Sequence, residues 1–251
     1  MNSSTTEAAR TDEAFVARLS EIRGRIDMCA LRAGRTSAEI TLIAVSKTHP
    51  VEKVRQAVAA SVFDFGENRV QEAEEKRELL SRAVFDEADA VRWHLIGHLQ
   101  SNKARRAVKL FDVIHSIDSA ELIERLERMC AEENRAELPV LLQLDLAGEE
   151  TKTGATEDEL PELVAKVNAC RRLRLVGLMT LPPFFEDAEE ARPFFRRLRE
   201  LRDEWGGRGA FGAGGRGELS MGMSHDYEVA IEEGATMLRI GTAIFGERGA
   251  R

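Results

Sequence analysis

Cysteine is scarce in this chain of 251 residues. The three cysteines, Cys29, Cys130 and Cys170, are far apart, and no two have the Cys-x-x-Cys spacing of a zinc or redox site. An odd number of isolated cysteines supports neither a disulfide framework nor a structural zinc ion. The sequence therefore predicts a protein of a reducing compartment, the cytoplasm.

Long apolar runs and excess positive charge are also missing. No stretch approaches the 18 consecutive apolar residues of a membrane-spanning helix, and the first residues lack the basic and apolar regions of a secretion signal. The formal net charge is −8, with 36 basic and 44 acidic residues, so no overall positive field attracts a phosphate backbone. We therefore expect no membrane partner and no nucleic-acid partner.

What the sequence does contain is a regular alternation of short apolar runs and longer amphipathic segments. Eight strand-helix units in about 250 residues match the size and order of an α/β protein with a single (β/α)8 TIM-type barrel. A doubly wound open sheet is the alternative. The eight predicted strands cover residues 40–47, 62–68, 92–99, 112–118, 138–147, 173–181, 218–223 and 237–245.

An extra helix is predicted before the first strand. Phe15, Leu19, Ile22 and Ile26 recur at helical spacing over residues 13–33, and Gly34 follows as a stop signal. Residues 1–11 are expected to form a disordered tail, and residues 12–251 a single barrel domain. The glycine-rich segment 206–217 precedes a strand, whereas a dinucleotide-binding loop follows one, so we expect a flexible surface connection there.

Lys47 stands at the end of the first apolar run. At the carboxyl end of a buried barrel strand, its amine would reach into a cleft, where desolvation disfavours the charged form and favours attack on a carbonyl group. Only seven of the 36 basic residues are lysines, and arginine cannot form an imine. The alternative is a lysine that extends to solvent from the end of a strand.

The last two predicted strands end in groups that can bind an anion. Ser224 precedes a predicted helix as its N-cap, and Gly241 and Thr242 offer close backbone approach, an N–H group and a hydroxyl. Each residue alone has an ordinary structural explanation as a cap or strand end. In a closed barrel they lie beside Lys47, and an aldehyde-reactive lysine next to a phosphate site suits pyridoxal 5'-phosphate (PLP).

At these positions the chain closely resembles the pyridoxal-phosphate homeostasis protein family, the proline synthetase co-transcribed homologues, which are related to the N-terminal barrel domain of alanine racemase. The resemblance implies PLP fold type III. It spans residues 40–247 and is carried by Ala44-Val45-Ser46-Lys47-Thr48, Phe65-Gly66-Glu67-Asn68, Trp93-His94-Leu95-Ile96-Gly97-His98-Leu99-Gln100, Gly177-Leu178-Met179-Thr180, Leu219-Ser220-Met221-Gly222-Met223-Ser224 and Arg239-Ile240-Gly241-Thr242-Ala243-Ile244-Phe245-Gly246.

The resemblance implies a role for each predicted cofactor-binding residue. It implies a PLP Schiff base on Lys47, with the phosphate group on the site formed by Ser224, Gly241 and Thr242. Arg239 would face the pyridine nitrogen of the cofactor.

Two further contacts are implied, and one departure is visible. Asn68 would approach the ring face or the 3-hydroxyl group, and Met223 would line the pocket. The family usually has tyrosine after Gly-Glu-Asn, whereas Arg69 follows Asn68 in this chain. The contact made by that tyrosine is therefore not implied for this chain.

A carrier of PLP is favoured over an enzyme. An arginine at the pyridine nitrogen keeps the ring unprotonated and makes it a poor electron sink. Racemisation also needs an opposing acid or base, and related racemases take a tyrosine from an additional β domain of a partner subunit. The sequence ends six residues after Phe245, so that domain is expected to be absent, and the single tyrosine, Tyr227, is expected to pack or face solvent.

The predicted function is therefore intracellular PLP homeostasis or delivery to apo PLP-dependent enzymes, by a monomer without significant turnover. An amino-acid racemase or another weak PLP enzyme is the alternative. A metal-dependent hydrolase barrel is a third class, but His94 and His98 would lie roughly 13 Å apart along a strand, too far for one ion. Glu67 is interpreted as structural, because strand alternation turns it away from Asn68, and Lys152 as an exposed loop lysine.

Overall fold

Eight parallel strands form a closed barrel, which confirms the predicted architecture and excludes the open sheet. The computed structural model describes residues 3–82, 90–148, 153–212 and 215–246, with side chains from residue 13 onward except at position 82. Strands pair in chain order, and β8 closes the barrel on β1. The strands are β1 (Thr41–Val45), β2 (Asp64–Glu67), β3 (Arg92–Leu95), β4 (Val113–Ile117), β5 (Leu138–Leu144), β6 (Leu173–Thr180), β7 (Glu218–Met223) and β8 (Met237–Ile240).

Amphipathic helices cover the outside of the barrel. In α5, Ser119 caps the first turn by accepting the N–H of Leu122 at 3.4 Å, and Leu122, Leu126 and Met129 are buried at helical spacing. The described helices are α1 (Ser3–Arg32), α2 (Val51–Ala59), α3 (Val70–Arg82), α4 (Ala104–Leu110), α5 (Ala120–Glu132), α6 (Leu160–Ala169), α7 (Arg192–Gly207), α8 (Tyr227–Glu232) and α9 (Thr242–Phe245).

The predicted N-terminal helix packs across the end of the chain. The rings of Phe15 in α1 and Phe245 in α9 stack with centroids 5.9 Å apart, and Arg18 Nε donates to the carbonyl of Ile244 at 2.9 Å. The helix begins at Ser3, ten residues before the predicted start. Ala, Glu and Arg continue it there without proline or glycine. Residues 3–11 of the predicted tail are thus part of α1, and the disorder of this segment in solution stays a prediction.

The glycine-rich segment 206–217 joins α7 to β7, as predicted, although its first two glycines complete α7. Residues 213 and 214 lie outside the described part of the chain. Within that part, no helix combines the length and apolar character needed to cross a membrane.

Candidate functional site

Lys47 lies two residues beyond β1, at the carboxyl-terminal mouth of the barrel. The strand ends before the predicted position because a turn follows, in which the N–H of His49 donates to the carbonyl of Ser46 at 3.0 Å. Thr48 within this turn has a φ of +66°, in the left-handed region that few residues other than glycine adopt. The partly buried Lys47 side chain lines a cavity of about 280 Å³.

A buried network centred on Lys76 contacts Ser46 and Thr48, the residues on either side of Lys47. Lys76 Nζ donates to the carbonyl of Ser46 at 2.7 Å, to Oε1 of Glu67 at 2.6 Å and to Oε1 of Glu72 at 2.8 Å. The same oxygen of Glu72 accepts the N–H of Thr48. We call these five residues the Lys76 network. It connects α3 to the turn that carries the cavity lysine.

Glu67 belongs to this network and points away from the cavity, as strand alternation predicts. Its side chain is fully buried, and Oε1 also accepts the hydroxyl of Ser46 at 2.6 Å. Burial raises the pKa of the Glu67 carboxyl group, while the positive charge of Lys76 opposes the increase. The contacts support the structural interpretation of this carboxylate.

The loops after β7 and β8 meet through Ser224. Its Oγ accepts the N–H of Gly241 at 3.3 Å and the N–H of Ala243 at 3.4 Å, so two backbone donors converge on this hydroxyl. Ser224, Gly241 and Thr242 line the cavity together. The prediction that Ser224 caps the following helix is wrong. That helix begins at residue 227, because Asp226 first folds back to accept the N–H of residue 223 at 2.6 Å.

Gly222 shapes the loop that carries Met223 and Ser224. Its φ of +91° is strained for any other residue, and an added Cβ would lie 2.6 Å from the Cβ of Ala230. Glycine at this position lets β7 approach α8 closely. Met223 and Ser224 thereby reach the cavity.

Arg239 brings a buried positive charge to the same cavity. One NH donates to the hydroxyl of Ser220 at 2.6 Å and the other to the carbonyl of Thr180 at 2.8 Å, and the residue is 3% exposed. Burial lowers the pKa of Arg239 to about 10, although the negative charge of Asp226 acts to raise it. The guanidinium therefore remains positively charged at neutral pH.

All seven residues predicted to bind a cofactor line this one cavity, although they come from four separate chain segments. They are Lys47, Asn68, Met223, Ser224, Arg239, Gly241 and Thr242. Sequence reasoning missed the other six residues of the lining, which are Val45, His49, Ile96, Leu181, Phe184 and His225. Ile96 and Leu181 directly follow a strand and Val45 ends one, and that position was the signal available in the sequence.

Phe184 and His225 form one side of the cavity entrance. Their ring centroids are 5.3 Å apart, and Nε2 of His225 donates to the carbonyl of Glu186 at 3.0 Å. Phe184 is 77% exposed. The loop after β6 is thus tied to the loop after β7 at the cavity.

Tyr227 is packed beneath α1 and is not among the cavity-lining residues. It is 3% exposed, and the guanidinium carbon of Arg25 lies 5.8 Å from its ring centroid. Burial raises the pKa of the Tyr227 hydroxyl to about 12. The residue occupies the packed position that the sequence predicts.

The two histidines considered as metal ligands have different surroundings. His94 is buried against Asp64 and His115, whereas His98 is half exposed and lies 3.4 Å from Asp118. No cluster of three or more His, Cys, Asp or Glu side chains in the described residues could hold a metal ion. Arg69 is exposed before α3, and Lys152 lies outside the described residues.

Residues 18–249 match the alanine racemase N-terminal domain family. The chain is 42% identical over 231 residues to a pyridoxal phosphate homeostasis protein of Aquifex aeolicus, covering 92% of this chain and 97% of the relative. The chain therefore belongs to the alanine racemase N-terminal domain family. A protein of the same name from Escherichia coli K12 is 41% identical over 238 residues, covering 92% and 95% of the two chains.

A solved structure is similar to this member of the family. PipY of Synechococcus elongatus, determined with PLP bound, superposes with a TM-score of 0.76 at 38% identity, covering 92% of this chain and all of the other. The resemblance identified from the six sequence blocks is thereby confirmed, and so is the relation to the barrel domain of alanine racemase.

Proposed function

We propose that this protein binds PLP in the cavity at the mouth of the barrel and serves PLP homeostasis. The observation that carries the proposal is that Lys47, the group formed by Ser224, Gly241 and Thr242, and the buried Arg239 meet at one cavity. These groups match an aldehyde, a phosphate and a pyridine nitrogen respectively. The PLP-bound relative and the family name support the same cofactor.

Each residue has a defined task in this proposal. Lys47 Nζ would bond to the aldehyde carbon as a Schiff base, with the aldehyde oxygen leaving as water. Ser224, Gly241 and Thr242 would donate hydrogen bonds to the phosphate group. Arg239 would face the ring nitrogen, Asn68 the ring face or the 3-hydroxyl group, and Met223 the pocket wall.

Two observations support a carrier without significant turnover. Bound PLP supplies an electron sink in enzymes, but Arg239 cannot act as the acid that protonates the ring nitrogen and strengthens that sink. Tyr227, the single tyrosine of the sequence, is buried under α1 and does not line the cavity. We further propose a cytoplasmic monomer that passes PLP to apo enzymes.

Reductive trapping tests the cofactor site. Borohydride treatment of the PLP-loaded protein should fix the cofactor on Lys47, as read by mass mapping of peptides. Lys47→Ala should abolish trapping, because no amine remains at the cavity end of β1. Lys152→Ala is the control and should trap as the wild type does. Trapping that maps to Lys152 would show that the assignment to Lys47 is wrong.

A turnover assay separates the carrier from the racemase. The loaded protein should not exchange the α-proton of single L-amino acids in deuterated water or produce the D-enantiomer. A rate within the usual enzyme range of about 1–10³ per second would contradict the carrier proposal. Without turnover, transfer of the bound cofactor to an apo PLP enzyme should restore that enzyme's activity.

A further inference from the structure

Five polar side chains form a continuous series of contacts through the barrel interior. Arg239 lies 2.6 Å from Ser220 Oγ, which lies 2.8 Å from Nδ1 of His115. Nε2 of His115 lies 2.9 Å from Nδ1 of His94, whose Nε2 lies 2.9 Å from Oδ1 of Asp64. One residue comes from each of β8, β7, β4, β3 and β2. The series crosses from the cavity to the opposite mouth of the barrel.

The two ends of the series fix the direction of its hydrogen bonds. A guanidinium can only donate, and an ionised carboxylate can only accept. Burial raises the pKa of Asp64, but hydrogen bonds from His94 and Arg92 outweigh burial and hold the pKa below its usual value. Asp64 is therefore an acceptor at neutral pH, and Arg239 at the other end is a donor.

Only one arrangement of protons satisfies every contact without another buried charge. Ser220 donates to His115, His115 donates through Nε2 to His94, and His94 donates through Nε2 to the ionised carboxylate. The links at Arg239 and Asp64 cannot be reversed, and reversing either link of His115 would force His115 or His94 to carry two protons. Burial, followed by electrostatic interactions with His94 and Arg239, lowers the pKa of His115 well below its usual value. A second cation in this interior is therefore disfavoured.

We propose that Asp64, His94, His115 and Ser220 are positioning residues that hold the Arg239 guanidinium at the cavity through this one-way hydrogen-bond chain. Both imidazoles are neutral and protonated on Nε2. The role toward the cofactor rests on the proposed function, because the PLP ring is what the guanidinium would face. The carbonyl of residue 180 accepts from the other NH group, and the chain supplies a second anchor for the long arginine side chain.

Nitrogen NMR of the unloaded protein labelled at histidine tests the chain without any cofactor. At pH 7, His94 and His115 should both show a protonated Nε2 and an unprotonated Nδ1, with assignments taken from the loss of signals in His115→Gln and His94→Gln. A proton on Nδ1 of either ring, or an imidazolium at position 94, would overturn the proposal.

PLP affinity tests the positioning role. Ser220→Ala removes the link to Arg239, and His115→Phe removes the next one, so both should weaken PLP binding by roughly tenfold or more. His115→Gln should retain near wild-type affinity, because its carbonyl can accept from the serine and its amide can donate to His94. The matched control is Ser116→Ala, which removes a buried hydroxyl that donates to the carbonyl of Gly97 outside the chain.

The outcomes separate the two proposals. If Ser220→Ala binds PLP as tightly as Ser116→Ala does, the positioning role is overturned even if His115→Phe fails to fold. If the wild-type protein does not bind PLP, the proposed function fails, while the NMR spectra still decide the direction of the chain.

Discussion

A single hydroxyl group joins two loops at the candidate site. Ser224 Oγ, in the loop after β7, accepts N–H groups of Gly241 and Ala243 in the segment after β8. Because the oxygen is an acceptor for both groups, the hydroxyl orients two backbone donors that a phosphate group could also use. Ser224 thus links the loop after β7 to the segment after β8, whereas the sequence pattern alone indicated a helix cap.

Replacing this hydroxyl tests the proposed phosphate site. Ser224→Ala should weaken PLP binding roughly 10- to 150-fold, because a hydrogen bond to a charged group contributes about 1.5–3 kcal/mol. Equilibrium titration with PLP measures the effect. Ser119→Ala is the matched control: it removes the cap of α5 and should lower stability by about 1 kcal/mol without changing PLP affinity. Equal affinities of the two variants would contradict the proposed phosphate site.

At the scale of elements, α3 holds the turn between β1 and α2 in place. Lys76 is 5% exposed and reaches Ser46, while Glu72 of the same helix holds Thr48. A lysine buried among carboxylates and a carbonyl is stable only with its partners present, since an uncompensated buried charge is strongly unfavourable. The Lys76 network therefore links the stability of the helix to the position of Lys47.

Replacing Lys76, the central cation of this network, should destabilise the folded protein. Lys76→Met leaves Glu67 buried without its partner and should lower the free energy of unfolding by about 3–5 kcal/mol. Urea denaturation at pH 7 measures the loss. The double variant Lys76→Met, Glu67→Gln should recover part of it, because the buried carboxylate is then neutral.

An exposed lysine provides the control for this prediction. Lys109 pairs with Glu133 at the surface, so Lys109→Met should change stability far less than Lys76→Met. Similar losses in the two lysine variants would mean that the buried network does not stabilise the turn.

At the scale of the whole molecule, the barrel interior makes stability depend on pH. His115 has an ordinary pKa near 6.5 in the unfolded chain, and burial holds its pKa well below that value in the folded protein. Between these two values the unfolded chain binds one more proton than the folded chain at this site. The contribution of His115 is therefore fully present above pH 6.5 and is lost as the pH falls below it.

A variant that cannot titrate isolates this contribution. Below pH 6.5, the free energy of unfolding of the wild type should fall more steeply than that of His115→Gln, by up to about 1.4 kcal/mol per pH unit. Urea denaturation of both proteins between pH 7.5 and 5.5 measures the difference. Parallel curves would contradict a neutral, buried His115 in the folded protein.

The order of the elements and the identity of most candidate residues could be predicted from the sequence. Apolar runs set the eight strands. Lys47 was found because it closes the first run, and Gly241 because a glycine within the eighth run lets the backbone approach a ligand closely. The predicted strand ends were less accurate, because the turn at Thr48 and the fold-back of Asp226 onto the N–H of Met223 depend on local hydrogen bonds that no periodicity records.

The chain Arg239–Ser220–His115–His94–Asp64 could not be predicted, because its members lie far apart in sequence on five strands. By itself the sequence determined the barrel and the residue types at its mouth, because periodicity and strand-end position are local properties of the chain. Tertiary structure alone decided which polar groups meet inside, because barrel closure and strand register bring residues from separate strands within hydrogen-bond distance.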